Sequence, residues 1–121
     1  MSDQIANITD SPAKNLANGF GFTEGPLWHP DGHWLFVDIQ KLQIHKMSPS
    51  GQLETYRDPS FGTNGMTFDK EGHLVICESD NRQIMRQQSD GSYTAIATHA
   101  DGKRLNRPND IVGRSDGTLY F

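Results

Sequence analysis

The stretch Asp-Gly-His-Trp-Leu-Phe-Val-Asp at residues 31–38 decides the fold, because it recurs along the chain. It returns as Glu-Gly-His-Leu-Val-Ile-Cys-Glu at residues 71–78, and it begins again as Asp-Gly-Thr-Leu-Tyr-Phe at residues 116–121. The first shift is 40 residues and the second is 45. Self-similarity at a nearly constant spacing of this size indicates a repeat architecture.

Other landmarks keep the same register. Ile-His-Lys-Met at residues 44–47 maps onto Ile-Met-Arg-Gln at residues 84–87, and the turn at residues 50–51 maps onto the turn at residues 90–91. A single recurring Asp-Gly pair would mean little, since such turns are common in proteins. Ordered landmarks at one offset are much harder to obtain by chance, so we interpret the chain as a series of structural repeats.

Within each repeat, short β-rich runs alternate with turns that contain glycine. The runs of the first repeat lie at residues 27–28, 34–39, 44–47 and 52–56, and those of the second lie at residues 66–68, 74–77, 84–86 and 92–98. No segment shows helical periodicity. Four strands in about forty residues are the dimensions of a β-propeller blade. The predicted fold class is therefore all-β, an open arc of about two and a half four-stranded blades.

The repeats also predict how the chain is divided. One partial propeller domain covers residues 1–121, with blades at residues 21–60 and 61–105 and the start of a further blade at residues 106–121. Residues 1–20 form an N-terminal segment, in which Ile5 to Leu16 are expected to supply a closing strand to the final blade of a complete ring. Because the last repeat ends inside an apolar run, we expect the natural product to continue beyond Phe121.

Composition excludes several classes of partner. No apolar run approaches the ~20 residues that a membrane span requires, so no membrane association is expected. The formal charge of −4 comes from 15 acidic and 11 basic residues that are well mixed, which argues against nucleic acid. Residues 1–12 carry no secretory signal, so we expect a cytoplasmic protein. The oligomeric state is left open by the sequence.

A polar residue stands eight positions before the repeat glycine of each unit; these residues are Glu24, Asn64 and Asn109. The first strand of a propeller blade lines the central channel, so three equivalent side chains are expected around one axis. Carboxylate and carboxamide oxygens suit hard divalent cations. The alternative is that these side chains satisfy neighbouring backbone groups at strand starts, and the spacing by itself leaves both interpretations open.

Three motifs carry a family resemblance. They are Phe-Thr-Glu-Gly-Pro-Leu-Trp at residues 22–28, Asn-Gly-Met-Thr-Phe-Asp at residues 64–69 and Arg-Leu-Asn-Arg-Pro-Asn-Asp at residues 104–110. In this order they resemble the N-terminal portion of the senescence-marker-protein/gluconolactonase/LRE-like (regucalcin-like) family. The resemblance extends from about Gly19 onward and implies a six-bladed β-propeller in the complete protein.

The resemblance also implies site residues. Glu24 matches a glutamate that binds the catalytic metal, Arg107 and Asn109 match a substrate-contacting pair, and Asn64 becomes a candidate channel-lining residue. The resemblance places the expected catalytic aspartate and a further metal-binding asparagine beyond Phe121, so no catalytic residue is expected within this chain. The implied cofactor is one divalent cation, with Ca²⁺ favoured and Zn²⁺, Mg²⁺ or Mn²⁺ as alternatives.

The function implied by the resemblance is metal-dependent hydrolysis of a small, sugar-type lactone, which would be the small-molecule partner. The isolated fragment is expected to be inactive, because an open arc exposes a strand edge and an apolar blade face. The alternative is a non-catalytic propeller that binds calcium or a partner protein through the same channel, since fold does not determine function. The complete channel would distinguish the two, because an enzyme needs the remaining metal ligands.

Other reactive side chains are interpreted structurally. The five histidines show no spacing typical of a metal site, and we expect those that follow the repeat glycines to be turn residues; the five are His29, His33, His45, His73 and His99. Cys77 is the single cysteine, which excludes an internal disulfide. It lies in an apolar run, where a free cysteine behaves as a small hydrophobic residue.

Overall fold

The computed structural model describes residues 12–121, which form strands and no helix. The first sheet contains β1 (Thr23–His29), β2 (His33–Asp38), β3 (Gln43–Met47) and β4 (Leu53–Arg57). The second contains β5 (Thr63–Phe68), β6 (Leu74–Glu78), β7 (Gln83–Gln87) and β8 (Tyr93–Ala97). Two short hairpins follow, β9 (His99–Ala100) with β10 (Lys103–Arg104) and β11 (Val112–Gly113) with β12 (Leu119–Tyr120).

Both four-stranded sheets are antiparallel and follow the order of the chain, β1-β2-β3-β4 and β5-β6-β7-β8. This arrangement confirms the all-β prediction and the four-stranded units. The sheets do not close into a ring, so the described residues form an open arc. Within residues 12–121 we find no helix with the length and apolar character that a membrane span would need.

The strand register preserves the repeat found in the sequence. Equivalent pairs beside the first turn of each unit are Trp28–Trp34, Phe68–Leu74 and Gly113–Leu119. The second pair lies 40 residues after the first, and the third lies 45 residues after the second. Because the same offsets appear in the amino-acid pattern and in the hydrogen-bonded register, the repeat is a repeat of structure.

Each blade buries one face against the next blade. One core cluster joins Leu35, Val37 and Ile44 of the first sheet to three residues of the second, Met66, Leu74 and Ile76. A second cluster lies on the other face of the second sheet and contains Val75, Cys77, Ile84 and Ile111. The consecutive apolar residues of β6 are therefore explained by burial on both faces of the strand, as expected of a central blade.

A buried ion pair ties the first blade to the second. Arg57, at the end of β4, places a guanidinium nitrogen 2.7 Å from a carboxylate oxygen of Glu78, whose side chain is 1% exposed. The same guanidinium lies 4.0 Å from the centre of the Tyr93 ring. Since an unpaired buried carboxylate is costly, the second blade depends on an arginine from the first.

Two local features differ from the sequence prediction. The first strands begin earlier than predicted, at Thr23 and Thr63, because each contains a β-bulge that interrupts the alternating pattern. The β9–β10 hairpin was not predicted. Its turn, Asp101-Gly102, has φ of +49° and +73°, the conformation that favours Asp-Gly in two-residue hairpins.

The predicted closing strand at residues 5–16 falls mostly outside the described residues. Residues 12–16, the described part of that stretch, form no strand in this structure. The blade that such a strand would complete is also not among residues 12–121. The closing strand, like the blade boundaries at residues 60 and 105, therefore stays a prediction.

Two isoleucines test whether packing between the sheets stabilises the arc. Ile76 is fully buried between the blades, whereas Ile96 on the outer strand β8 is 44% exposed. We expect Ile76→Ala to lower the free energy of unfolding by about 2–5 kcal/mol, because it leaves a cavity in the core. Ile96→Ala should cost about 1 kcal/mol or less. Urea unfolding followed by circular dichroism measures both variants, and equal losses would contradict the proposed core.

Candidate functional site

The candidate site begins with a bulge in the first strand of each complete blade. In β1 the register shifts between Glu24 and Leu27, and in β5 it shifts between Thr63 and Met66. The first strand therefore carries one residue more than its partner over this stretch, and the extra residue bends the strand. Bulges of this kind re-aim side chains, and here they stand beside the polar residues that the sequence placed at the channel.

The structure brings all three predicted channel residues to one cavity of about 220 Å³. Its lining is made of Glu24, Gly25, Pro26, Asn64, Gly65, Met66, Asn109 and Asp110. Each of the first two blades contributes its bulged strand, and the third unit contributes the segment before β11. Glu24, Asn64 and Asn109 are thus neighbours in space, although 85 residues separate the first from the last.

Two glycines allow the inner strands to approach this closely. Gly25 has φ of +52°, and a Cβ atom at this position would lie 2.2 Å from the carbonyl oxygen of Asn64. A Cβ atom on Gly65 would lie 2.6 Å from the Cα of Asp110, and the Gly65 N–H donates to the Asn109 carbonyl over 2.7 Å. The residue after each of the first two channel residues must therefore be small.

The negative charge of Glu24, at the cavity, is balanced by no positively charged side chain among residues 12–121. Within residues 12–121, Glu24 forms no ion pair, and its carboxylate accepts one long hydrogen bond, 3.4 Å from its own neighbour Gly25. Asn64, Asn109 and Asp110, whose side chains carry amide and carboxylate oxygens, line the same space. These are hard oxygen donors, and with Glu24 they fit a divalent cation of the Ca²⁺ or Mg²⁺ class.

A buried aspartate holds the segment that leads into Glu24. The carboxylate of Asp38 accepts hydrogen bonds from the backbone N–H groups of Gly21 over 2.8 Å, Phe22 over 3.1 Å and Lys41 over 3.2 Å. Burial by itself would raise the pKa of Asp38, but the three N–H donors outweigh it and lower that pKa. Asp38 is therefore ionised at neutral pH and anchors the start of β1.

Arg107, predicted to contact substrate beside Asn109, is not in the cavity lining. Its side chain is 68% exposed, and its guanidinium donates to the Asp80 carboxylate over 2.9 Å. The structure thus brings together Glu24, Asn64 and Asn109 at the cavity. Arg107, two residues before Asn109, lies outside the lining and bonds to Asp80. Nothing in the repeat pattern pointed to Asp80.

A second group of metal-ligand types was missed by the sequence analysis. Ligand atoms of Asp69, Glu71 and His73, in the β5–β6 turn, lie within 4.8 Å of one another. Arg86 enters this group, 2.7 Å from both Asp69 and His73 and 3.3 Å from Glu71. Its guanidinium already supplies the positive charge. The sequence does show this group, because Asp69, Glu71 and His73 occupy every second position of one turn.

Other reactive groups are controlled by burial. Burial raises the pKa of the Cys77 thiol to about 12, so the thiol stays protonated at neutral pH and is a poor nucleophile. Burial also lowers the pKa of His33 and of His45, which keeps both imidazoles neutral at pH 7. These side chains pack in the blades and do not border the cavity.

Comparison with known proteins gives a consistent family. The sequence profile of the SMP-30/Gluconolactonase/LRE-like region matches residues 22–121. A gluconolactonase of Zymomonas mobilis is 26% identical to this chain over 136 residues, an alignment that covers 98% of this chain and 37% of that protein. The chain therefore spans less than half the length of this relative.

Solved structures agree. A protein assigned as a gluconolactonase superposes with a TM-score of 0.84 at 36% identity, covering 92% of this chain and 39% of that one. A gluconolactonase from Xanthomonas campestris superposes with a TM-score of 0.80 at 30% identity, covering 86% and 35%. The two blades and the start of a third in this chain therefore correspond to 39% of that protein. The similarity confirms the propeller fold.

The Asp38 anchor predicts a pH dependence. The folded-state pKa of Asp38 lies below its unfolded value of about 3.9, so its stabilisation is complete above that pH and is lost as the pH falls through the folded-state pKa. We expect Asp38→Asn to destabilise the chain at pH 7 and the difference from wild type to shrink below about pH 4. Urea unfolding at several pH values measures this, and a difference independent of pH would contradict the anchor.

The close approach of the inner strands is tested at two glycines with positive φ. Gly25 faces the Asn64 carbonyl, whereas Gly51, with φ of +87°, has open space where a Cβ atom would stand, with no neighbouring atom within 4 Å. We expect Gly51→Ala to cost about 1–3 kcal/mol of stability from backbone strain alone. Gly25→Ala should cost clearly more, because it adds a clash between blades. Equal losses in thermal or urea unfolding would show that the strands tolerate separation.

Proposed function

Because the chain belongs to the SMP-30/Gluconolactonase/LRE-like family, we propose that it is the opening portion of a six-bladed propeller that hydrolyses a small, sugar-type lactone with one divalent cation. The observation that carries the proposal is the cavity lined by Glu24, Asn64 and Asn109. Two relatives described as gluconolactonases support the class of reaction. The substrate would be a small molecule that enters the channel mouth.

Glu24 is the proposed metal ligand of this chain. Its carboxylate lacks an ion-pair partner among residues 12–121, so a bound cation would balance its negative charge. Ca²⁺ is the proposed ion, since mixed carboxylate, amide and water oxygens suit it, and Zn²⁺, Mg²⁺ and Mn²⁺ are the alternatives. The chemistry that such an ion supplies when bound is polarisation of the lactone carbonyl and activation of water.

The residues of this chain would bind and orient the lactone. Asn109 offers one amide acceptor and two donors to a ring hydroxyl or the lactone carbonyl, and Asn64 offers the same groups from the neighbouring blade. The planar guanidinium of Arg107 is suited to two parallel hydrogen bonds to oxygen atoms. We propose that an aspartate outside these 121 residues takes the proton of the attacking water, so that this chain supplies binding and orientation.

The isolated chain is proposed to be inactive. Its cavity is lined by two acidic residues, Glu24 and Asp110, and two amide residues, Asn64 and Asn109, which offer fewer ligands than the roughly six to eight oxygens that Ca²⁺ takes. The outer face of the first blade also exposes large side chains, with Trp28 46% and Trp34 40% exposed. A neighbouring blade would cover such a face in a closed ring. Binding geometry would therefore be complete only in the full propeller.

A non-catalytic cation-binding propeller is the second candidate. One observation favours it: Arg107 is engaged with Asp80 and is outside the cavity lining, so the donor set around Glu24 serves a cation without any substrate contact from Arg107. The two candidates differ in a simple measurement. The second predicts Ca²⁺ binding by the full propeller with no lactone turnover.

Glu24→Gln in a full-length propeller containing this chain tests the leading proposal. The amide keeps the size of the side chain and removes its charge, so Ca²⁺ affinity should fall at least about tenfold and lactone turnover by a larger factor. Titration calorimetry measures the affinity, and a pH-stat assay with gluconolactone measures turnover.

Glu71→Gln is the matched control, since Glu71 belongs to the other acidic group, where Arg86 provides the charge. It should leave Ca²⁺ affinity and turnover near wild type. If Glu71→Gln abolishes Ca²⁺ binding and Glu24→Gln does not, the metal belongs to the β5–β6 turn and the proposed site is wrong.

A further inference from the structure

The loop between β6 and β7, residues 79–82, is hydrogen-bonded to residues 104–108, the segment that contains Arg107 and leads to Asn109. Five side-chain hydrogen bonds join them. They run from Ser79 Oγ to the Pro108 carbonyl (2.6 Å), from Arg82 to the carbonyls of Leu105 (2.5 Å) and Arg104 (3.4 Å), from Arg104 to the Asn81 carbonyl (2.7 Å) and from Arg107 to Asp80 (2.9 Å). The loop is thus built around residues 104–108.

Asp80 also contacts the residues just before β5. Its N–H donates to the Phe61 carbonyl over 3.3 Å, and its carboxylate lies against Gly62, where a Cβ atom would come within 2.6 Å of the Asp80 carboxyl carbon. This backbone hydrogen bond and this close contact restrict the position of the Asp80 carboxylate independently of Arg107. Asp80 is the fixed partner, and Arg107 is the long side chain that it orients.

This contact stands at the cavity end of the second blade. Asp80 comes two residues after Glu78, which ends β6 and pairs with Thr63 at the start of β5. Thr63 precedes the cavity residue Asn64, and Arg107 precedes Asn109 by two residues. The Asp80–Arg107 pair is consequently close to Asn64 and Asn109 in the chain and in strand register, outside the cavity lining itself.

We propose that Asp80 is a positioning residue that orients Arg107 toward the lactone, and that the pair favours neutral, hydroxyl-rich lactones over lactones bearing a carboxylate. This inference rests on the proposed lactonase function. Within residues 12–121 the Arg107 guanidinium makes one hydrogen bond, which leaves further N–H donors for substrate oxygens. Because the Asp80 carboxylate pairs with Arg107, it balances the charge of this one guanidinium, so an anionic substrate is drawn to Arg107 less strongly than to an unpaired arginine.

A double-mutant cycle in the full-length propeller tests the assignment. Asp80→Ala should raise KM for gluconolactone roughly tenfold, because a charge-assisted bond no longer orients Arg107, while kcat should change by about twofold or less. Arg107→Ala should raise KM at least as much. The double variant should be no worse than Arg107→Ala alone, since Asp80 acts through Arg107.

The preference between neutral and anionic lactones is measured separately. Asp80→Ala leaves Arg107 unbalanced, so the ratio of kcat/KM for a carboxylate-bearing lactone to that for gluconolactone should rise about tenfold. Asp80→Asn, which keeps the shape of the side chain against Gly62, should shift KM and this ratio in the same direction. Unfolding curves for both variants confirm that the propeller is intact.

Asp116→Ala is the matched control. Asp116 pairs with Arg114 over 3.4 Å in the β11–β12 turn, is similarly exposed and does not line the cavity. It should leave KM and the ratio of kcat/KM between the two lactones unchanged.

The positioning role would be overturned if Asp80→Ala raised KM by the same factor with and without Arg107, or if it left KM unchanged. Either result would leave the lactonase proposal standing. A wild-type propeller without lactone turnover would overturn both.

Discussion

The arrangement of the arc rests on close backbone packing between successive units at Gly25 and Gly65. At each glycine the backbone of the next unit occupies the space of the missing side chain, 2.2 Å from the Cβ position in one case and 2.6 Å in the other. Because the strands meet at this distance, the residues that precede the glycines, Glu24 and Asn64, share one cavity with Asn109. The bulges supply the local bend that the approach needs.

Among the described residues, the acidic side chains near the two candidate metal sites and between the blades differ in their partners. Glu78 is buried and paired with Arg57, and Asp69 is paired with Arg86, so both charges are balanced inside the protein. Glu24 borders the cavity without an arginine or lysine in contact among residues 12–121. Geometry alone would offer two candidate metal sites, and the distribution of arginines distinguishes them, because a guanidinium and a divalent cation compete for the same carboxylates.

Much of the architecture could be predicted because it repeats. The 40-residue offset in the amino-acid pattern reappears in the paired strands, and the three polar residues counted back from the repeat glycines do meet at one cavity. The strand starts at Thr23 and Thr63 were missed, since a bulge breaks the alternation on which strand prediction relies. The β9–β10 hairpin was missed although Asp101-Gly102 is a strong turn signal, because it occurs once, outside the repeat.

Spacing along the chain specified the blade as the unit of the fold and the repeated position that Glu24, Asn64 and Asn109 share, because both depend on periodicity. The tertiary structure alone decided which charges are satisfied: Arg107 bonds to Asp80, 27 residues away, and Arg86 fills the group formed by Asp69, Glu71 and His73. Long arginine side chains reach partners across loops and strands, and no periodic pattern records where they end. Their electrostatic role follows from three-dimensional distance and burial, which spacing does not encode.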